Sequence, residues 1–357
     1  MEKGNWSASI SHRWQYSDRH FVGDVDQVYR TREGSEIIND IHIIDVGASY
    51  QISKRFGVNL SLPYSKATRS SPLTDPRFLR DAAGNPVTYV DSGGTTRNVF
   101  LNPSGVARPD GTTNGAVIAR YKTEANGLGD LKLLATGWIF DPETFTKGNI
   151  SVGLGVLFPT GEKDVIDIPQ RTVPTRGGAG VADTFTIQDG PAVYVDNSIQ
   201  PGAGAWGIIF DVYAFRQVVT NVTVFASGTY IATPEADAGV ISGATTGTTV
   251  WSVGDSYLLR AGAGYTFWPK AGLTLTLAGR AEGSPATDII GDSTGRRRPG
   301  HAVSIEPGLV WAKSGWVVAF STPVALYRNR TTSFGAATPG DAAFADFMTL
   351  FSVGHTF

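Results

Sequence analysis

The chain contains no cysteine, which excludes disulfides, thiolate nucleophiles and thiolate metal sites. A cysteine-free chain also suits a periplasmic transit, where stray thiols would be oxidised. Charge is scarce, since Asp, Glu, Lys and Arg make up 17% of 357 residues, below the quarter usual in soluble proteins. The net charge of -2 implies neither nucleic-acid binding nor attraction to an anionic surface. Long apolar runs are missing as well: no stretch approaches the roughly 18 consecutive apolar residues of a spanning helix. Mean hydropathy is only -0.07. No leader pattern precedes the first strand-like run, so Met1-Glu2-Lys3-Gly4 reads as the start of a mature form with an added initiator Met.

What is plentiful is glycine, at 43 residues, and aromatic side chains, with 18 Phe, 12 Tyr and 8 Trp. Their arrangement has period 2, the signature of strands with two unlike faces. Trp6, Ala8, Ile10, His12, Trp14 and Tyr16 alternate with Ser7, Ser9, Ser11, Arg13 and Gln15. Ile44, Val46, Ala48, Tyr50 and Ile52 alternate with Asp45, Gly47, Ser49 and Gln51; Phe56, Val58, Leu60, Leu62 and Tyr64 alternate with Gly57, Asn59, Ser61 and Ser65. The pattern recurs near 128–140, 148–160, 204–216, 219–232, 255–267, 272–283, 301–312, 315–328 and 345–357. Each segment is long enough for the roughly 9–11 residues that a tilted strand needs to cross the hydrocarbon.

Short links near 53–55, 141–147, 217–218, 268–271 and 313–314 alternate with long ones near 18–36, 66–127, 161–203, 233–254, 284–300 and 329–344. These features predict an all-β fold, a transmembrane antiparallel up-and-down barrel of twelve strands. The whole chain would be one outer-membrane domain, with periplasmic turns, extracellular loops and both termini periplasmic. Phe347, Thr349, Phe351, Val353, His355 and Phe357 alternate to a terminal Phe, which resembles the C-terminal signature of outer-membrane proteins. The segment 66–127 is too long for an ordinary connection. It is expected to fold inward as a constriction, cap the barrel, or stay on the surface, where Val87–Val90 and Val99–Leu101 could pair as a hairpin.

Three patches, Gly127-Leu128-Gly129-Asp130-Leu131, Leu157-Phe158-Pro159-Thr160-Gly161 and Gln200-Pro201-Gly202-Ala203-Gly204, resemble the family of MetA-pathway proteins of phenol degradation. The resemblance implies an outer-membrane barrel that passes small hydrophobic or aromatic compounds, and it supplies no catalytic residue or cofactor. Segment 66–127 is larger than the family leads one to expect, so no role for it carries over.

Two literal motifs are set aside. Gly202-Ala203-Gly204-Ala205-Trp206-Gly207 fits the dinucleotide pattern but precedes a strand, and Gly291-Asp292-Ser293-Thr294-Gly295 fits the nucleophile elbow but lies in a loop. Ser11 and His12 are adjacent and so point to opposite faces of a strand, while His355 sits at the periplasmic rim, which argues against a lipid-modifying enzyme. Asp24 and Asp26 form no full metal-binding pattern, so no metal is expected.

The inward face is where function is expected. Asp45, Asp130, Lys132, Asp211, Arg260, Arg280, Glu282 and Glu306 fall on inward positions, as a selective charge ladder or as a salt-bridged filling. Leu134, Leu258, Val317 and Ala319 share that face, and a mixed lumen suits a partly apolar solute. Arg296-Arg297-Arg298 could meet lipopolysaccharide phosphates or an anionic solute, or form a solvated charge run. The expected function is passive, selective diffusion of a small solute, and the alternative is a plugged barrel that acts structurally. A monomer is favoured.

Overall fold

A strand in lipid must satisfy every backbone N–H and C=O by pairing, so a spanning sheet has to close on itself. The computed structural model does so, and it describes residues 3–28, 30–31, 36–72, 88–90, 96–98, 120–175, 184–241 and 250–357. The wall consists of β1 (Trp6–Val22), β2 (Ile38–Gln51), β3 (Phe56–Pro72), β4 (Arg120–Leu128 and Leu131–Trp138), β5 (Gly148–Phe158) and β6 (Gly207–Val219). It continues with β7 (Val222–Ala232), β8 (Ser256–Trp268), β9 (Leu273–Ser284), β10 (Gly300–Lys313), β11 (Trp316–Ser321 and Val324–Asn329) and β12 (Asp341–Thr356). Each strand pairs antiparallel with the next, and β12 pairs with β1 from Ser7↔Thr356 to Val22↔Asp341, which closes a barrel of 12 strands.

Short turns and long loops occupy opposite ends, with both termini beside the short turns. At Ser314-Gly315 both residues have positive φ, 52° and 78°, the pairing a two-residue type I′ hairpin demands. The outer face is apolar and exposed: Ile10, Val46, Leu60, Val152, Leu154, Leu259, Leu277 and Leu309 all project away from the lumen. Trp6, Phe56, Trp268, Trp316 and Phe357 form an exposed aromatic girdle at the short-turn end.

The strands depart from expectation at the loop end. Strand β3 runs on to Pro72 and β4 begins at Arg120, so the connection 66–127 contracts to 73–119. The reason lies in the outward side chains. Beyond Tyr64 and Leu128 these become Lys66, Thr68, Asn126, Glu124 and Lys122, with Lys66 and Glu124 paired at 3.6 Å. Apolar alternation stops where lipid stops, whereas backbone pairing continues into solvent. Within 73–119 the described residues are Thr88–Val90 and Thr96–Asn98, which pair antiparallel; Val99-Phe100-Leu101 lie outside the described residues.

Two strands are interrupted. β4 breaks at Gly129-Asp130, and β11 breaks at Thr322-Pro323, because Pro323 has no N–H to give the ladder. Above that break β11 stays paired with β10 but meets β12 at Val324↔Phe347 alone. The Arg328 guanidinium bridges the parted strands, donating to the Ala345 carbonyl at 3.0 Å and to Asp346 at 2.5 Å. A cavity of about 180 Å³ lies beside the gap, lined by Pro323, Ala325, Phe344, Phe347 and Met348 among others.

Leu154, 60% exposed in the middle of β5, tests the assignment of the lipid face. Leu154→Arg is expected to lower stability by about 2–4 kcal/mol, and Leu154→Met by less than about 1.5 kcal/mol. Guanidinium unfolding in phospholipid vesicles measures both.

Candidate functional site

The three glycine-rich patches, far apart in sequence, meet at the break in β4. The Asp130 carboxylate accepts the Gly161 N–H at 2.9 Å through Oδ1 and the Ala203 N–H at 2.8 Å through Oδ2. The Thr160 hydroxyl accepts the Leu131 N–H at 2.9 Å, Gly129 donates to the Pro63 carbonyl at 2.8 Å, and Gly202 donates to the Glu162 carbonyl at 2.7 Å. Glycine is required here by approach distance: a Cβ on Gly202 would lie 2.5 Å from the Gly161 carbonyl carbon. Asp130 is thus a clasp for the loop 159–206, with both oxygens committed to backbone donors.

That clasp turns part of the same loop into the barrel. Val195 and Ile199 are fully buried against Ala67 and Ala125 on the inner face of β3 and β4, with Ile41 and Val165 packed around them. Asp196, next to Val195, is gripped by Arg298 through two bonds of 2.7 and 2.8 Å and lies 3.7 Å from Arg69 of the inner wall. Arg69 also donates to Asn39 at 2.9 Å and to Ser198 at 3.2 Å. Burial by itself would push the Asp196 carboxyl up, but Arg298 and then Arg69 hold it well below the usual carboxylate range. Inward folding was one of the options for 66–127; among the described residues it is the segment around 193–203 that lies against the inner wall.

Below this segment lies a belt of charge. Arg260 forms a bidentate pair with Glu306 at 2.6 and 3.0 Å, Arg280 reaches Glu282 at 2.7 Å and Glu306 at 3.5 Å, and Ser321 donates to Glu306 at 2.9 Å. Glu306 is 2% exposed, and this pairing satisfies it. Asp45 accepts the Ser61 hydroxyl at 2.7 and 2.9 Å, and Asp211 accepts the Thr229 hydroxyl at 2.7 Å. Lys132 makes no hydrogen bond or ion pair among the described residues, and neither does Arg13, an inward cation on β1.

The arginine run divides. Arg297 is buried, with its Nη2 at 2.8 Å from Asp288 and 2.5 Å from Ser252, and Arg298 is taken by Asp196 and stacked on Trp251 at 5.4 Å. Arg296 keeps an exposed side chain. Two of the three guanidinium groups therefore tie loops together, Arg297 through Ser252 while it pairs with Asp288 of its own loop, and Arg298 through Asp196. Both histidines weighed as catalytic face outward: His12 lies 3.1 Å from His42, and His355 sits between Trp316 and Phe357 at 4.4 and 4.6 Å.

One inward feature went unrecognised in the sequence. Trp138, Tyr213 and Phe215 form a ring cluster with centroids 6.0–6.4 Å apart, and Phe225 is level with Phe215 on the next strand. The Arg260 guanidinium lies 5.8 Å over Phe225, joining the cluster to the charged belt. The signal was present, since Trp138 follows Lys132, Leu134 and Thr136 on inward parity and Tyr213 and Phe215 follow Asp211. On neighbouring strands the inward glycines Gly153 and Gly262 are level with Asp211 and Phe225.

No family model matches the chain, and no curated protein matches its sequence. The fold has solved counterparts. The COG4313 outer membrane channel from Pseudomonas putida F1 aligns over 100% of this chain and 97% of its own, with a TM-score of 0.56 at 10% identity. The CymD monoaromatic hydrocarbon channel aligns over 100% and 89%, with a TM-score of 0.44 at 11% identity. The P. putida toluene transporter TodX aligns over 100% and 90%, with a TM-score of 0.44 at 12% identity. At such identity the first likeness establishes the fold, a barrel of outer-membrane type.

Removing the clasp should release the loop. Asp130→Ala strips acceptors from two buried N–H groups and is expected to cost about 2–4 kcal/mol, with faster proteolysis within 159–206 as the readout. Asp196 gives a pH prediction. Its folded pKa is depressed, so its contribution is fully present above about pH 4 and fades as pH falls further. Sensitivity of this loop to an acid-active protease should rise as pH falls below about 4, and Asp196→Asn should reproduce the acid behaviour at pH 7.

Proposed function

We propose that the chain is an outer-membrane channel for passive, selective diffusion of small aromatic or otherwise apolar solutes, with both termini in the periplasm. The observation that carries this reading is the inward cluster of Trp138, Tyr213, Phe215 and Phe225 beneath the charged belt. Rings on a lipid-facing wall serve the membrane, but rings turned into a lumen offer a flat apolar surface to a solute. The three patches that resemble the MetA-pathway family agree with it. So does the name of the structural counterpart with the TM-score of 0.56, an outer membrane channel. A monomer suffices for this reading, and the exposed Arg296 is the position for a lipopolysaccharide contact.

The inward segment around Val195 and Ile199 favours a second reading, a plugged barrel whose role is structural. Planar-bilayer recording separates the two, since a plugged barrel gives no reproducible conductance. For the channel, liposomes carrying the protein should take up phenol faster than liposomes carrying an unrelated plugged barrel. Replacing Trp138, Tyr213 and Phe215 together by Leu should cut that uptake about 2- to 10-fold, the loss expected of one ring contact. Uptake equal to that of the plugged control would sink the proposal.

A further inference from the structure

The charged belt and the ring cluster meet at one side chain, the Arg260 guanidinium on β8. Antiparallel pairing lines up Phe215, Phe225, Gly262, Ala278 and Glu306 across β6 to β10. Between Phe225 and Glu306 this row carries only a glycine and an alanine, so little side chain stands on the inner wall there. The guanidinium spans that stretch. It lies 5.8 Å over the Phe225 ring at one end and binds Glu306 at 2.6 and 3.0 Å at the other. Glu306 in turn accepts the Ser321 hydroxyl at 2.9 Å and lies 3.5 Å from Arg280, so the planar fork is held in place. Glu306 occupies Nε and Nη2. Nη1 makes no bond among the described residues, and the side chain is 33% exposed on the inner face.

The pairing around Arg260 says what Nη1 can serve. Arg260 and Arg280 are matched by Glu282 and Glu306 within bonding distance. An anion would therefore gain one donor and face two carboxylates, and a cation would face two guanidinium groups. A neutral acceptor gains the bond without that opposition. Water holds the donor until a solute displaces it, and a solute without an acceptor leaves the donor dry. Rings flank the donor, since Phe225 lies beneath the guanidinium and only Ser227 separates Tyr213 from Arg260 along the ladder. We propose that Arg260 determines specificity: it selects neutral aromatic solutes that carry an acceptor oxygen, such as aryl ketones, over the bare hydrocarbons. The inference rests on the channel reading and narrows its solute to a class. The solute ring lies on the ring cluster, and its oxygen accepts a charge-assisted hydrogen bond from Nη1.

Acetophenone and ethylbenzene share a skeleton and differ only at the carbonyl, and benzoate adds a charge. Calorimetry on the full chain folded in one detergent compares variant with parent, so partition of each solute into micelles cancels. The parent should bind acetophenone saturably. Arg260→Met, which keeps an apolar stem, should weaken acetophenone about tenfold and ethylbenzene at most about threefold. Equimolar benzoate should not displace acetophenone. Heat-modifiable migration in gels verifies folding. If Arg260→Met does not fold, Arg260→Met combined with Glu306→Gln removes both charges together and decides. Equal weakening of the two ligands, as for a residue that only shapes the wall, would overturn the assignment. So would acetophenone binding that is absent from the parent or unmoved by the variant. Full displacement by benzoate would overturn the neutral class. Planar-bilayer recording reads the channel separately. If acetophenone binding depends on Arg260 but no conductance is seen, the channel reading fails and the subsite stands. If the channel conducts and both ligands respond alike, the subsite fails and the channel stands.

Discussion

Backbone hydrogen bonds have no alternative partner in hydrocarbon, and the structure follows from the need to pair them all. Closure through β12 and β1 leaves no edge in lipid. It also imposes two unlike environments on consecutive residues of every strand, so an apolar outer wall and a mixed inner wall come from one chain. Where the ladder is broken, other groups take over. Arg328 spans the gap left by Pro323, and the Asp130 clasp organises the chain at the break in β4.

The loop end has a different logic, that of buried charge. Asp196, Asp255 and Asp288 are carboxylates with little or no exposure, and each is surrounded by donors. Asp255 accepts bonds from the Tyr230 hydroxyl, the Thr233 N–H and the Ile289 N–H at 2.6–2.9 Å. Arg297 and Arg298 answer Asp288 and Asp196. These pairs draw the loops after β5, β7 and β9 into one another, and through Arg69 they tie the inward segment to the wall. Breaking one member of such a set costs far more than its net contribution, because the other charge is left buried alone.

The lumen combines both principles. Paired charges on β8–β10 make a rigid polar belt, and rings on β4, β6 and β7 make an apolar surface beside it. On the channel reading, a solute is selected by the order in which it meets charge and apolar wall, and by what it must leave behind in water to do so.

Much of the wall was legible because side-chain alternation has a period of two that no other regular structure shares. Strands around Trp6–Tyr16, Phe56–Tyr64 and Leu273–Leu277 were read with their lipid faces from polarity. What alternation cannot report is pairing beyond the lipid, since it vanishes where Lys66 and Glu124 replace apolar residues; that is why β3 and β4 were read too short. Charge partners were out of reach for another reason. Asp130 and Arg298 are on favourable positions in any pattern, but their partners Gly161, Ala203 and Asp196 lie 31 to 102 residues away. The sequence by itself determined the barrel and its two faces, because local periodicity encodes them. Tertiary structure alone decided which loop turns inward and which lumen charges pair with one another, because those depend on contacts between distant segments.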